Sequence, residues 1–308
     1  MTIEHARARI VRKPWGSVDL GRWSAPDPDG APVGEIWFQR PNPDTAAPAL
    51  LLKLLFTSEP LSIQVHPGDA FARSVGLDHG KSEAWYILSA APGAHVAVGL
   101  KHPVTAAELR EAVDDGSIAD LVQLRPVAPG DVVSVPAGTI HAVGAGLVLA
   151  EIQQSSDATF RLFDYGRQRE LHVDQAIAVA DAGPAAAHAP PRPLADARTL
   201  LVATPHFVLE RIAIGPDSSW EFDAGPETWM LVVEGDAQVG TVRLAMGGAM
   251  FLEAERARIA AGPDGLTALV AYHADKPVAG LLARPEGASL RVLPVTAARS
   301  PRSGEVRA

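Results

Sequence analysis

A chain of 308 residues with no cysteine, ten histidines and a formal net charge of −9 has the length of about two domains. At 47% hydrophobic residues it can fill sizeable cores. The missing cysteine excludes disulfides, thiolate nucleophiles, zinc fingers and iron–sulfur ligation, so any metal must be held by imidazole, carboxylate or amide oxygen. The acidic balance lacks the basic footprint of a nucleic-acid binder, and an anionic substrate would need local cations.

The opening MTIEHARARIVRKPWG carries charge where a signal peptide needs an apolar run. No apolar stretch reaches the ~18 residues of a membrane helix. A soluble cytoplasmic protein with no nucleic-acid or membrane partner is expected.

Gly and Pro, 27 and 26 in number, punctuate short Val- and Ile-rich runs, which predicts a mainly β chain. Strands are expected at Ala49 to Leu55, Leu61 to Val65, Glu83 to Leu88, Ala94 to Val98, Asp131 to Val135 and Leu147 to Gln153. Two helices interrupt them. TAAELREAVDDG, from Thr105 to Gly116, carries a capping box (Thr105 with Glu108), a closing Gly, and Leu109 and Val113 on one face. LHVDQAIAVAD, from Leu171 to Asp181, is the second. GPAAAHAPPRPLADA, Gly183 to Ala197, reads as a Pro-rich linker dividing the chain near residue 190.

The two halves resemble each other. Glu83-x-Trp85 and Glu227-x-Trp229 each open an apolar run, and Gly130–His141 parallels Gly247–Arg258. An internal duplication with an insertion in the first copy explains both offsets.

Gly130 to His141, GDVVSVPAGTIH, fits G-x5-P-x-G-x2-H, a pattern that resembles the second motif of cupin β-barrels. Gly130 turns into a strand, Pro136 and Gly138 shape its exit, and His141 is carried onto the next strand. The first motif has its counterpart in Gln64-Val65-His66 with Glu83 further on. Residues two apart on a strand share a face, so Gln64 and His66 can stand beside His141. Two imidazoles, a carboxylate and an amide oxygen suit Zn²⁺, with Mn²⁺, Fe²⁺ or Co²⁺ as substitutes. The implied architecture is two cupin-like (jelly-roll) β-barrels. The first is a metal-binding domain over 1–185 with a helical insertion at about 103–122. The second is a degenerate domain over 198–308, where Glu253, Glu255 and Arg258 meet Pro136, Gly138 and His141. Trp220, Trp229 and Phe251 are expected in its core.

LSIQVHPGDAFA, GKSEAWYIL, VPAGTIHAVG and EIQQSSDATFRLFDYGR, in this order, with KPWGS near Trp15 and LHVDQA after Leu171, resemble type I mannose-6-phosphate isomerases (phosphomannose isomerases), most of all the short bacterial form. The resemblance covers about residues 10 to 180. It implies one zinc ion per chain on Gln64, His66, Glu83 and His141. It implies catalytic roles for Arg161, Lys81 and Asp157, and substrate binding by Ser62, Lys53 and Arg161. One position departs: where longer members carry a His before the lysine, this chain has Gly80, with His79 one residue back.

The implied activity is aldose–ketose isomerisation of mannose 6-phosphate and fructose 6-phosphate through an enediol(ate), in a monomer or homodimer. Charge developing at O1 and O2 calls for an electrophile and C2–H for a base. Two rivals stand beside it. One is another metal cupin enzyme, either a different phosphosugar isomerase or a dioxygenase, the latter favouring three His and a Glu around iron. A non-catalytic sugar-phosphate binder could keep the fold without the chemistry.

Overall fold

The computed structural model describes residues 2–225 and 227–285. Pro226 and the last part of the expected second domain, 286–308, lie outside the described residues. The chain is mainly β, in three antiparallel sheets. One has six strands in the order Arg7–Ser17, Val33–Gln39, Leu50–Thr57, Leu147–Gln154, Glu83–Ala90 and Val132–Val135. A second has five, in the order Phe160–Phe163, Ile63–Val65, His141–Val143, His95–Leu100 and Val122–Pro126. The third has ten and belongs largely to the C-terminal half; Thr228–Val239 and Glu255–Tyr272 run through its middle.

Strand periodicity decides what each face meets. Along Leu50–Thr57, the side chains of Leu50, Leu52, Leu54 and Phe56 join one core, while Leu55 points into another. The second of these lies between the five- and six-stranded sheets and includes Trp15, Trp85, Ile87, Val96 and Val143. The first lies between the six-stranded sheet and the C-terminal half, whose Leu209, Trp229, Leu231, Phe251 and Leu269 complete it. Burial on both faces is why LLLKLLF reads as a continuous apolar run. The C-terminal half keeps a further core of its own, with Met230 and Val232 on the opposite face of the Trp229 strand.

The junction is specific as well as apolar. Glu227 accepts hydrogen bonds from the backbone N–H of Ala49 (2.7 Å) and Leu50 (2.9 Å), and Trp229 Nε1 donates to the Leu50 carbonyl (3.2 Å). Trp85 stands opposite Val133, whereas Trp229 stands opposite Phe251, the counterpart of Ser134. A one-residue change of register exchanges the faces of a strand. Trp85 accordingly faces the site half's interior and Trp229 the junction. Trp229→Ala is expected to lower stability by about 3–5 kcal/mol, the cost of a large buried truncation, measured by denaturant unfolding. A loss under about 1 kcal/mol would show that the junction contributes little.

All six expected strands are present. Ala106–Asp114 forms the first helix, with Thr105 and Glu108 exchanging cap hydrogen bonds and Leu109, Ala112 and Val113 buried. The second spans Val173–Val179. The linker is not wholly irregular: Arg192–Ala195 is a strand paired with Arg198–Ala203. Pro193 is tolerated because the strand ends the sheet and needs no donor there. Short helices at Asp69–Ser74 and Ile118–Leu121, and strands at Thr2–His5, Arg7–Ser17 and Val33–Gln39, add to the expected set. Thr2–His5 crosses to the other half and pairs with Ala249–Glu253. Among the described residues no helix is long and apolar enough to cross a membrane.

Candidate active site and metal centre

The site grows out of one turn and three strands. Gly138 has φ +89°, and a Cβ there would lie 2.7 Å from Asp181 Oδ2, so the turn requires glycine. The Gly138 N–H donates to the His66 carbonyl (2.8 Å), joining the turn to the Gln64–His66 segment. His141 then stands in register with Gln64 across the five-stranded sheet. Glu83 opens its strand on the facing six-stranded sheet.

His66, Glu83 and His141 meet there, each about 1% exposed. Their ligand atoms all lie within 4.8 Å of one another. His66 Nδ1 contacts the Ala158 carbonyl and His141 Nδ1 the Thr139 carbonyl, both at 2.8 Å. A carbonyl only accepts, so each Nδ1 carries the proton and each Nε2 presents a lone pair inward. Those Nε2 atoms lie 3.3 and 3.5 Å from the two Glu83 oxygens. The Gln64 amide is 3.3 Å from His141 Nε2 and meets the Ser62 hydroxyl at 2.9 Å. The hydroxyl can donate or accept, so either end of the amide can face inward.

Lys81 enters this cluster as a cation. Its Nζ is 2.9 Å from His66 Nε2 and forms an ion pair with Glu83. Burial, aided by the Lys81 charge, pushes His66 down to about 4. Burial also lowers His141. Burial opposes ionisation of Glu83, but the Lys81 charge outweighs it and holds the carboxyl well below its usual range. Burial likewise opposes the charge on Lys81, and Glu83 and Glu151 outweigh it, raising Lys81. The donors are therefore unprotonated at neutral pH, as metal ligation requires. Lone pairs converging on a place where the chain itself puts a positive charge fit a metal ion.

Above the cluster opens a cavity of about 310 Å³. Ser62, Gln64, Lys53, Lys81, Asp157 and Arg161 all line it. On one wall, charges alternate from strand to strand. Lys53 is opposite Glu151, and Glu151 opposite Trp85. Lys53 Nζ lies 3.3 Å from Glu151 and 3.8 Å from Glu35, which also pairs with Lys13 (3.4 Å). Trp85 Nε1 lies 3.1 Å from oxygens of both Glu83 and Glu151. Lys53 is thus a buried cation already shared by two carboxylates.

The opposite rim carries Arg161, in register with Gln64. Its Nε is buried and makes no hydrogen bond. Burial and the neighbouring Arg169 depress its pKa. Arg169 is tied to Asp164 through two bonds of 2.6 Å. Asp157 is exposed at the lip. His79 is exposed, and Gly80 has no room for a side chain, since a Cβ would lie 2.6 Å from Pro67 O, Gly68 C and Asp69 N.

Lys13, Glu35, Glu151, Arg169 and His172 also line the cavity and were not among the expected site residues. Lys13 stands two before Trp15 on one strand, and Glu151 two after the inward-facing Leu149 on another. The period of two pointed to both.

Fold and site together define a mainly β protein with a buried His–Glu–His cluster, able to hold a metal ion, under a cleft lined by five cations and three carboxylates. Its relatives fit the expected family. The mannose-6-phosphate isomerase of Streptococcus mutans is 36% identical over 193 residues, 58% of this chain and 60% of that protein. Mannose-6-phosphate isomerase ManA of Bacillus subtilis is 39% identical over 137 residues, 42% of this chain and 43% of that protein. The chain spans about half the length of the curated relatives it matches. Among solved structures, the mannose 6-phosphate isomerase from Bacillus subtilis superposes with a TM-score of 0.78 at 24% identity, over 88% of this chain and 100% of that one. A phosphomannose isomerase variant from Salmonella typhimurium gives 0.69 at 14% identity, over 89% and 100%. No protein-family model matches the chain. The chain is similar in sequence to mannose-6-phosphate isomerases over part of its length and in fold over most of it.

Proposed function

We propose that this chain is a metal-dependent aldose–ketose isomerase interconverting mannose 6-phosphate and fructose 6-phosphate. The observation that carries the proposal is the buried His66–Glu83–His141 cluster at the floor of a polar cleft whose Arg161 keeps an unpartnered buried N–H. Gln64, His66, Glu83 and His141 would hold the ion, and the nitrogen and oxygen donor set suits zinc, one per chain. Bound there, it would supply Lewis-acid polarisation of the sugar oxygens at C1 and C2.

The remaining work falls to the chain's own groups. Arg161 takes the substrate phosphate or the oxygen that gains charge; its free N–H finds the acceptor it lacks. Ser62 fixes the Gln64 amide. For proton transfer, Asp157, at the lip, offers a carboxylate that can take the C2 proton and return it to C1, and Lys81, at the floor, offers an ammonium that can give a proton to a sugar oxygen. Lys53, held by Glu35 and Glu151, offers its ammonium to sugar oxygens from the wall. The reading extends to two cupin-like barrels, 1–185 with metal and 198–308 without, in a cytoplasmic monomer or homodimer.

Purified protein loaded with Zn²⁺ is expected to convert mannose 6-phosphate to fructose 6-phosphate in a coupled assay. EDTA should abolish turnover and added Zn²⁺ restore it. A folded, fully metallated sample without turnover overturns the proposal.

A further inference from the structure

The segment Gly80–Ser82 leads into Glu83 and carries Lys81, and each of its three backbone N–H groups is held by a different partner. Gly80 N–H donates to Asp69 Oδ1 (2.8 Å), Lys81 N–H to the Pro67 carbonyl (2.9 Å) and Ser82 N–H to Gln154 Oε1 (2.9 Å). Asp69 Oδ1 also accepts from Gln154 Nε2 (3.0 Å), which ties two of these partners together. Gln154 N–H donates back to the Ser82 carbonyl (3.1 Å). Gly80 packs so closely on the chain after His66 that a Cβ would lie 2.6 Å from three of its backbone atoms.

Lys81 must reach His66 Nε2 and Glu83 at once, and a lysine side chain has four rotatable bonds and no fixed direction of its own. Its placement is therefore set by where its backbone is held. We propose that Asp69, working with Gln154, is a positioning residue for Lys81 and Glu83, clamping the Gly80–Ser82 backbone against the residues that follow His66. The proposal rests on the isomerase reading for its kinetic consequence and on the hydrogen bonds alone for its structural one. It also accounts for glycine at position 80: the close backbone approach that fixes Lys81 leaves no space for any side chain there.

Asp69→Ala, Asp69→Asn and Gly80→Ala test it. A displaced catalytic or ligand group typically costs about 10–100-fold, so Asp69→Ala is expected to lower kcat by that factor with KM within about threefold. Zn²⁺ affinity, read by chelator competition, should weaken. Gly80→Ala should act in the same direction. Asp69→Asn keeps an oxygen that accepts both hydrogen bonds and should recover most of kcat. Exchange of the Gly80 amide should quicken about five- to tenfold in Asp69→Ala, the worth of one hydrogen bond. A folded Asp69→Ala protein with unchanged kcat and zinc affinity overturns the clamp, as does an Asp69→Asn protein as impaired as Asp69→Ala. If the unaltered protein turns over no mannose 6-phosphate, the isomerase reading has failed. Zinc affinity and amide exchange then still decide the clamp, which falls if neither changes in Asp69→Ala.

Discussion

His141→Ala is expected to leave the protein without bound metal and without activity. The polar atoms of the imidazole point to that role: its Nδ1–H is satisfied by the Thr139 carbonyl, its Nε2 faces Glu83 and the Gln64 amide, and its ring packs edge-on against Trp85. Loss of a group that merely orients a ligand costs about 10–100-fold in metal affinity; loss of a ligand itself should exceed about 100-fold. Glu83 keeps its pairing with Lys81 in the variant, so no carboxylate is left buried and alone, and the fold should survive. Metal content by mass spectrometry, the coupled assay and a thermal melt together check this. A folded variant that retains one equivalent of zinc removes His141 from the ligand set.

Arg161→Ala should separate function from stability. The Arg161 Nε is buried and unbonded, and burial disfavours its charge. Removing a polar group that was never satisfied is nearly neutral or stabilising, so stability should stay within about 0.5 kcal/mol of the original or rise. Metal content should be unchanged. Losing a donor aimed at developing charge costs about 10²–10³-fold in rate, and Arg161→Lys should recover only part of it, because a lysine cannot reproduce the planar fork. Unaltered kinetics in Arg161→Ala would mean that the guanidinium faces no substrate group. A protein that is less stable where it works better is the usual signature of a binding site kept unsatisfied until its ligand arrives.

What the sequence made legible is local in origin. Gly130 turns the chain into a strand, Pro136 and Gly138 turn it out again, and this second turn, which has room only for glycine at 138, delivers His141. The i, i+2 spacing delivers Gln64 and His66 to one face. Thr105 and Glu108 encode a helix start four residues long. The less legible parts depend on which strands lie side by side. Lys53 read as a free cation because Glu35 and Glu151, its partners, come from strands about 20 and 100 residues away, and only the sheet order brings them together. Arg7–Ser17 does not read as a strand because RARIVRKPWGS carries four charges among its eleven residues and is largely exposed at the sheet's edge. The Arg192–Ala195 strand is masked by Pro193 and the two prolines before it, and Asp69–Ser74 is too short to show a helical period.

The crossing of Thr2–His5 to Ala249–Glu253 bears on how the molecule can be taken apart. A cut at the linker expected near residue 190 would not follow the division between the sheets. A fragment ending at that point carries away a strand that belongs to the other fragment's sheet, and the remaining piece shows a bare edge of unpaired N–H and C=O groups. In an intact chain the same arrangement means that neither half can open without uncovering the other. A second copy whose Thr2–His5 strand detaches has a ready acceptor in its neighbour, the ordinary route to exchanged dimers. The Thr2–His5 strand is in this sense a latch between the two sheets.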